Sequence, residues 1–229
     1  MEGALSHQRP LALESFAALD AIPGIRARFI GRIPDVVVPV ERAEAMTRLA
    51  PFHKRLLEAE GPGSILITAE QVHGNKVSIV ETSPSALAPL PIPGVDGLVT
   101  RQRGVTLGIY VADCAPVWII AKNGVSGALL HSGKKGTELG IVREGIKALC
   151  DLASLAPADL ILAIGPCIRP PCYEIDFAAE IRHQAAEAGI REIHDEQICT
   201  ACHPDRYYSY RWERGLTGRM LATLTLLPA

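Results

Sequence analysis

The sequence carries no excess of charge of either sign: 23 Lys and Arg stand against 25 Asp and Glu, a formal net charge of −2 over 229 residues. A chain that neutralises a phosphate backbone needs a basic footprint, so nucleic acid is excluded as the expected partner. No apolar run reaches membrane-spanning length. Met1 to Leu13, with His7, Arg9 and Pro10, also lacks the continuous apolar stretch of a signal peptide. The expected setting is therefore cytoplasmic, with no membrane partner. Internal repeats and low-complexity tracts are missing as well, and Pro84 to Pro93 reads as a Pro-rich loop too short for an interdomain tether. Cysteine is sparse, six residues at uneven spacing, which fits reduced thiols better than a disulfide framework. Cys150, in a helical pattern, reads as a small buried apolar side chain.

What is present is apolar material, 48% of the residues, enough for one substantial core and one domain over residues 1–229. Met46, Leu49, Phe52, Leu56 and Leu57 recur at helical spacing between Glu41 and Glu60, and Gly61-Pro62-Gly63 ends that run. From Ser64 the pattern shifts to short strand-like runs at Ile65 to Thr68, Val77 to Val80, Val105 to Val111, Val117 to Ala121 and Val125 to Leu130. Asn123-Gly124 between the last two predicts a hairpin with a type I′ turn, because both residues tolerate positive φ. Thr137 to Leu155 and Phe177 to Ala188 read as helices and Leu160 to Ile164 as a buried strand. Tyr207 to Trp212 and Met220 to Leu226 read as closing strands. Without the regular alternation of a doubly wound sheet, the expected class is α+β, a mixed and largely antiparallel sheet flanked by helices.

Three candidate metal ligands fall where predicted strands end: His73 in Gln71-Val72-His73-Gly74, Cys114 in Ala112-Asp113-Cys114, and His131 in His131-Ser132-Gly133. Strand ends can bring distant side chains to one point while the sheet fixes them. One thiolate and two imidazoles suit zinc, and three protein ligands leave a fourth place for water or substrate. Their separations match no local zinc-finger rule, so packing roles for each residue stay open at this point.

The motifs continue along the chain: Asp96-Gly97-Leu98-Val99-Thr100, Ala112-Asp113-Cys114-Ala115-Pro116-Val117, His131-Ser132-Gly133 through Gly136-Thr137, Ile164-Gly165-Pro166-Cys167-Ile168, Cys172-Tyr173-Glu174, Tyr208-Ser209-Tyr210-Arg211 and Thr217-Gly218-Arg219-Met220. In this order, from about residue 64 onward, the sequence resembles the laccase-domain or YfiH-type polyphenol oxidase family. That family was first labelled as copper-dependent polyphenol oxidases. Its members are now described as zinc enzymes with purine nucleoside phosphorylase and adenosine deaminase activities. The resemblance implies a Zn2+ site at His73, Cys114 and His131, with a nucleoside and phosphate as small-molecule partners. Two departures stand out. Lys135 occupies a position where the family usually has arginine, which keeps the charge and loses the bidentate fork. A segment that members carry between Ile175 and the helix near Asp176 is missing, which is expected to shorten one wall of the pocket.

On this reading, zinc would activate water for deamination at purine C6. Lys134, Lys135 and Arg211 would supply cations for phosphorolysis. Asp113 is a candidate base or orienter beside Cys114, and Gln71 and Asp96 are candidates for shaping the substrate site. Rival readings are a copper oxidase, disfavoured because three ligands make a single site, a cysteine hydrolase or amidase using Cys114 with His73 or His131 as base, and a metal-binding protein without turnover. Cys199-Thr200-Ala201-Cys202-His203 also matches the c-type haem attachment pattern, or alternatively a second metal or dithiol pair. The oligomeric state, monomer or homodimer, is left open by the sequence.

Overall fold

The computed structural model describes residues 13–61, 65–81 and 91–228. Most of Met1 to Leu13, Pro62-Gly63 after the first long helix, and Pro84 to Leu90 of the expected loop lie outside the described residues. In chain order the elements are β1 (Leu13–Glu14), α1 (Ala17–Asp20), β2 (Ile25–Ile30), α2 (Arg42–Ala59), β3 (Ile65–Thr68), β4 (Val77–Ile79), β5 (Gly97–Thr100), β6 (Val105–Val111), β7 (Ala115–Ala121), β8 (Gly127–Ser132), α3 (Lys134–Glu138), α4 (Ile141–Ala153), β9 (Leu160–Ile164), α5 (Phe177–Glu187), β10 (Glu192–Asp195) and β11 (Met220–Leu226). The class is α+β, and the strands divide between two mixed sheets. One runs β1-β2-β11-β6-β3 and the other β10-β9-β7-β8-β5-β4. Most neighbours are antiparallel, with parallel pairs β3–β6, β4–β5 and β9–β10.

The two sheets pack face to face, and β7 shows why its sequence is a continuous apolar run. Every residue of Ala-Pro-Val-Trp-Ile-Ile-Ala is buried, because a strand covered on both faces has no solvent side. Trp118 and Ile120 join the core shared with the first sheet. Val117, Ile119 and Ala121 alternate away from them into a second core with α4 and α5. The indole N–H of Trp118 donates to the Thr223 carbonyl of β11 at 2.9 Å, which ties the sheets together without leaving a buried donor unmet.

Several local expectations are corrected. Tyr207 to Trp212 is a run of turns and not a strand: Tyr207 and Tyr208 are buried, and the Tyr208 hydroxyl accepts from the Ile33 backbone at 3.1 Å. The apolar alternation there records rings docked on the core and not a ladder. Thr137 to Leu155 is two helices, α3 and α4, separated at Gly140 with φ +79°. The β7–β8 hairpin forms, but at its tip Gly124 has φ +70° and Asn123 keeps negative φ. The turn is therefore not type I′; instead the Asn123 side chain accepts from Val125 N–H at 3.3 Å. Cys150 is only half buried. Four strands escaped the sequence reading: β1, β2, β5 and β10. No helix among the described residues is long and apolar enough to cross a membrane.

Helix α2 lays Ala45, Leu49 and His53 inward. Neither ring nitrogen of His53 finds a hydrogen-bond partner among the described residues, and burial pushes its pKa down to about 4. An unfolded imidazole titrates near its ordinary value of about 6.5, so between pH 6.5 and 4 the unfolded state binds the extra proton. Stability is complete above that window and falls as pH drops through it. His53→Leu removes this contribution. Urea unfolding at pH 7 and pH 4.5 is expected to show the native protein losing about 2 kcal/mol more than the variant. Equal losses would show that the imidazole does not carry the effect.

Candidate functional site

The chain crosses between the sheets twice near one edge: from β3 to β4 through residues 69–76, and from β6 to β7 through residues 112–114. The first crossing carries Gln71 and His73, the second Asp113 and Cys114. His131 stands near the end of β8, next in the sheet to β7. His73, Cys114 and His131 therefore meet, each with a ligand atom within 4.8 Å of the others. The two imidazole rings lie edge to face with centroids 4.8 Å apart.

The crossings are held in unusual backbone. Gln71, His73 and Asp113 have φ of +65°, +60° and +85°, a left-handed region that costs a side-chain-bearing residue about 1 kcal/mol or more. Asp96, fully buried at the start of β5, offsets part of that cost. Its carboxylate accepts the backbone N–H groups of Val72 at 3.2 Å, His73 at 2.8 Å and Gly74 at 2.7 Å. It also meets His131 Nδ1 at 2.8 Å, which leaves Nε2 of that ring for the site. Burial raises the Asp96 pKa, but the bonds from His131, Gly74 and His73 outweigh it and hold the group below the ordinary carboxylate range.

Burial also raises the Cys114 thiol, and the imidazoles of His131 and His73 more than reverse this, bringing it down to about 6. His131 shows the reciprocal effect: burial lowers it, while the Cys114 thiolate and Asp96 raise it to about 9. Each group of the pair thus favours the charged form of the other. Gly133 leaves room for the sulfur, since a Cβ there would lie 2.5 Å from Cys114 Sγ.

The three side chains line a cavity of about 630 Å³, His131 buried, Cys114 half-buried and His73 exposed. Of the residues singled out in the sequence, Gln71, Asp113, Lys134 and Arg211 line it, whereas Lys135 is exposed on α3 outside the lining. Gln71 does not offer its amide freely. It donates to the Tyr110 carbonyl at 2.5 Å and accepts from the Tyr110 N–H at 2.9 Å, continuing the β3–β6 pairing beyond the end of β3. Asp113 accepts from Thr200 Oγ1 at 2.7 Å and from Arg211 N–H at 2.7 Å, so it anchors the turns that carry Tyr210 and Arg211. Asp96 acts on the site through His131.

Sequence reasoning missed Arg42, Arg214 and Arg219, which add cations to the wall, and Tyr110, Tyr173, Phe177 and Tyr210, which add ring faces. Burial, and then Arg42 nearby, hold the Arg219 guanidinium below its usual value. Arg219 sits inside the Thr217-Gly218-Arg219-Met220 motif already noted. Arg42, at the start of α2, gave no signal because nothing local says which cavity a helix end will face. The wall expected to be short is filled by Tyr173 and Phe177, whose rings stand 6.1 Å apart. The CxxCH segment closes around a third cysteine: Cys172, Cys199 and Cys202 lie within the same 4.8 Å limit.

Fold and site together define an α+β protein with a cavity lined by two histidines and a cysteine that are grouped closely enough to hold a metal ion. The chain belongs to the family described as multi-copper polyphenol oxidoreductase laccase, whose model matches residues 46–180 and 174–227. The two matched stretches meet where the chain passes directly from Glu174 into α5. Relatives include "Purine nucleoside phosphorylase YlmD" of Geobacillus stearothermophilus, 31% identical over 192 residues, covering 68% of this chain and 70% of that protein. "Purine nucleoside phosphorylase ORF3" of Streptomyces griseus is 30% identical over 182 residues, covering 68% and 72%. The crystal structure of YlmD from Geobacillus stearothermophilus superposes with a TM-score of 0.83 at 26% identity, covering 96% of this chain and 100% of that one.

Asp96→Asn tests the architecture of the site. An amide cannot accept from three backbone donors and an imidazole at once, so guanidinium unfolding is expected to show a loss of about 2–4 kcal/mol. A change within about 0.5 kcal/mol would mean that the 72–74 turn stands without the carboxylate.

Proposed function

We propose that this cavity is the active site of a purine nucleoside phosphorylase, with adenosine deamination as a second activity, and that His73, Cys114 and His131 hold a zinc ion in it. The observation that carries the reading is the convergence of one low-pKa thiol and two imidazoles in a cavity lined by cations and aromatic rings. The donor set fits the ion. His131 turns Nε2 inward because Asp96 occupies Nδ1, the thiol ionises near neutrality, and three ligands leave one coordination place free. Zinc held there supplies Lewis acidity in the cavity.

In phosphorolysis a phosphate oxygen bonds to ribose C1′ as the C1′–N9 bond breaks, and the purine leaves with the electron pair. The chain's part is to hold a polyanion beside a sugar and to keep the base oriented. Arg42, Arg219, Lys134 and Arg211 are the groups for phosphate. Lys135, exposed on α3, adds positive charge outside the cavity. Tyr173, Phe177 and Tyr210 offer faces on which a purine can stack. Asp113 is a positioning residue that fixes the Arg211 turn, and Gln71 positions Tyr110.

A cysteine hydrolase reading draws on the same Cys114–His131–Asp96 chain, which has the order of a nucleophile, a base and an orienting carboxylate. His73 could serve as its base in place of His131, but one base suffices, and the convergence of both imidazoles on one thiol favours a metal ligand set. Copper would meet the same donors as zinc, so metal analysis is part of the test.

Purified protein is to be assayed against adenosine, inosine, guanosine and methylthioadenosine with and without phosphate. Ribose 1-phosphate or its methylthio analogue is expected only with phosphate, and ammonia from adenosine without it. His73→Ala and Cys114→Ala are expected to lose the zinc and at least about 100-fold in turnover, and Arg219→Ala to raise the KM for phosphate about ten-fold. Metal-free protein that keeps full amide or ester hydrolysis would establish the cysteine hydrolase instead. Tight zinc binding with no turnover of any nucleoside would leave a metal-binding protein.

A further inference from the structure

The second group of thiols has no part in the cavity chemistry. Cys172 follows Pro171 in the segment that leads to Tyr173, while Cys199 and Cys202 bracket the 3-10 turn Thr200–Cys202. Residues 30 apart in sequence thus bring Cys172 Sγ to 3.1 Å from Cys202 Sγ, with Cys199 Sγ in the same cluster, all within 4.8 Å. The Cys199 thiol lies within reach of the Arg169 carbonyl at 3.8 Å, and the turn is closed by the Cys202 N–H donating to the Cys199 carbonyl at 3.2 Å, so the backbone holds the two sulfurs of the turn on one side. Tetrahedral zinc with Zn–S near 2.3 Å separates its sulfurs by about 3.8 Å, inside the range the cluster already spans. Small rotamer shifts bring all three to that spacing.

A dithiol exchange pair is a poorer fit. Such a pair needs an accessible nucleophilic thiol backed by one resolving thiol. Here three sulfurs converge where an exchange pair would use two, and Cys199 is 8% exposed. Covalent haem is a poorer fit too, since it needs both cysteines of the motif free of other partners and Cys172 stands against Cys202.

We propose that Cys172, Cys199 and Cys202 form a second metal site, separate from His73, Cys114 and His131, that takes a thiophilic d10 ion, zinc(II) or copper(I), through three thiolates. The ion clamps two walls of the cavity. On one side Cys172 fixes the strap that carries Tyr173 and Glu174, the latter 3.4 Å from Arg211. On the other, the Thr200–Cys202 turn is bonded to Asp113 through Thr200. The site orders the cavity from outside without touching a substrate.

The full chain, purified under reducing conditions, is to be equilibrated with zinc chloride or with copper(I), passed through a desalting column and analysed for metal. The native protein is expected to retain about two ions per chain, and Cys202→Ser and Cys172→Ala about one. The His73→Ala, Cys114→Ala double variant is also expected to retain about one, now lost on adding Cys202→Ser. Comparing the zinc and copper arms identifies the ion. Cys202 is exposed, so its substitution leaves the core intact, and a cooperative thermal melt checks that it does. The proposal is overturned if Cys202→Ser and Cys172→Ala both keep the native metal content, or if unreduced protein shows a Cys172–Cys202 disulfide and only one ion. Loss of metal confined to the His73 and Cys114 variants would sink this site and leave the cavity reading standing.

Discussion

The site hangs on one buried carboxylate. Asp96 has no solvent to share its charge with, and it accepts hydrogen bonds from three consecutive backbone amides and meets one imidazole. Those donors belong to two distant parts of the chain, the 72–74 turn and the end of β8. A single ionised group thus sets the left-handed turn that presents His73 and the ring orientation of His131. A buried charge is costly unless every lone pair is met, and here the cost is met by groups that the site itself needs placed. The specificity of the geometry and the satisfaction of the charge are one arrangement.

The two-sheet architecture explains why the thiol arrives at the same point. Cys114 lies on the link between β6 of one sheet and β7 of the other, and His73 on the link between β3 and β4, which makes the same crossing. Links that change sheets run along the open edge of a sandwich, where backbone is not committed to a ladder and side chains can point into a cleft. The strands joined by the Cys114 link, β6 and β7, are buried almost throughout and hold that link firmly. Gln71 extends this by pairing its amide with Tyr110, so the sheet's hydrogen-bond order continues past the last residue of β3 into the site.

Much of this was legible in the sequence, and the parts that were not share a cause. The runs that became β7 and β9 are apolar over their whole length, those that became β3, β6, β8 and β11 are apolar but for a few Thr, Ser, Gly or His residues, and α2 has a helical period, so composition and spacing alone found them. The candidate ligands were legible because His73, Cys114 and His131 follow strand signals. Strand β2, Ile-Arg-Ala-Arg-Phe-Ile, alternates well but is shared between charged and apolar residues, so its signal was passed over. β10, Glu-Ile-His-Asp, is an edge strand with little apolar content, and only its tertiary neighbour β9 makes it a strand. Tyr207 to Trp212 erred the other way. Its aromatic residues are there to dock on the core and the cavity, and burial of rings carries no period that separates a strand from a tethered turn. The role of Asp96 was out of reach, because a carboxylate that gathers amides from residues 72–74 can be recognised only once the fold has brought them together.

The same distinction governs the electrostatics. Local sequence shows a nearly neutral chain, yet the fold gathers its cations at one cavity. Cys114 faces the His131 ring, which Asp96 holds from behind, while Arg42, Lys134, Arg211, Arg214 and Arg219 line the same cavity. Asp113, the one carboxylate in the lining, is already engaged by Thr200 and the Arg211 amide and does little to quench that field. The Arg219 guanidinium is held below its usual value by burial first and by Arg42 second. A set of cations beside the rings of Tyr110, Tyr173, Phe177 and Tyr210 is complementary to an occupant that carries negative charge and presents a flat face, whereas a bare hydrophobic molecule would leave the cations unanswered.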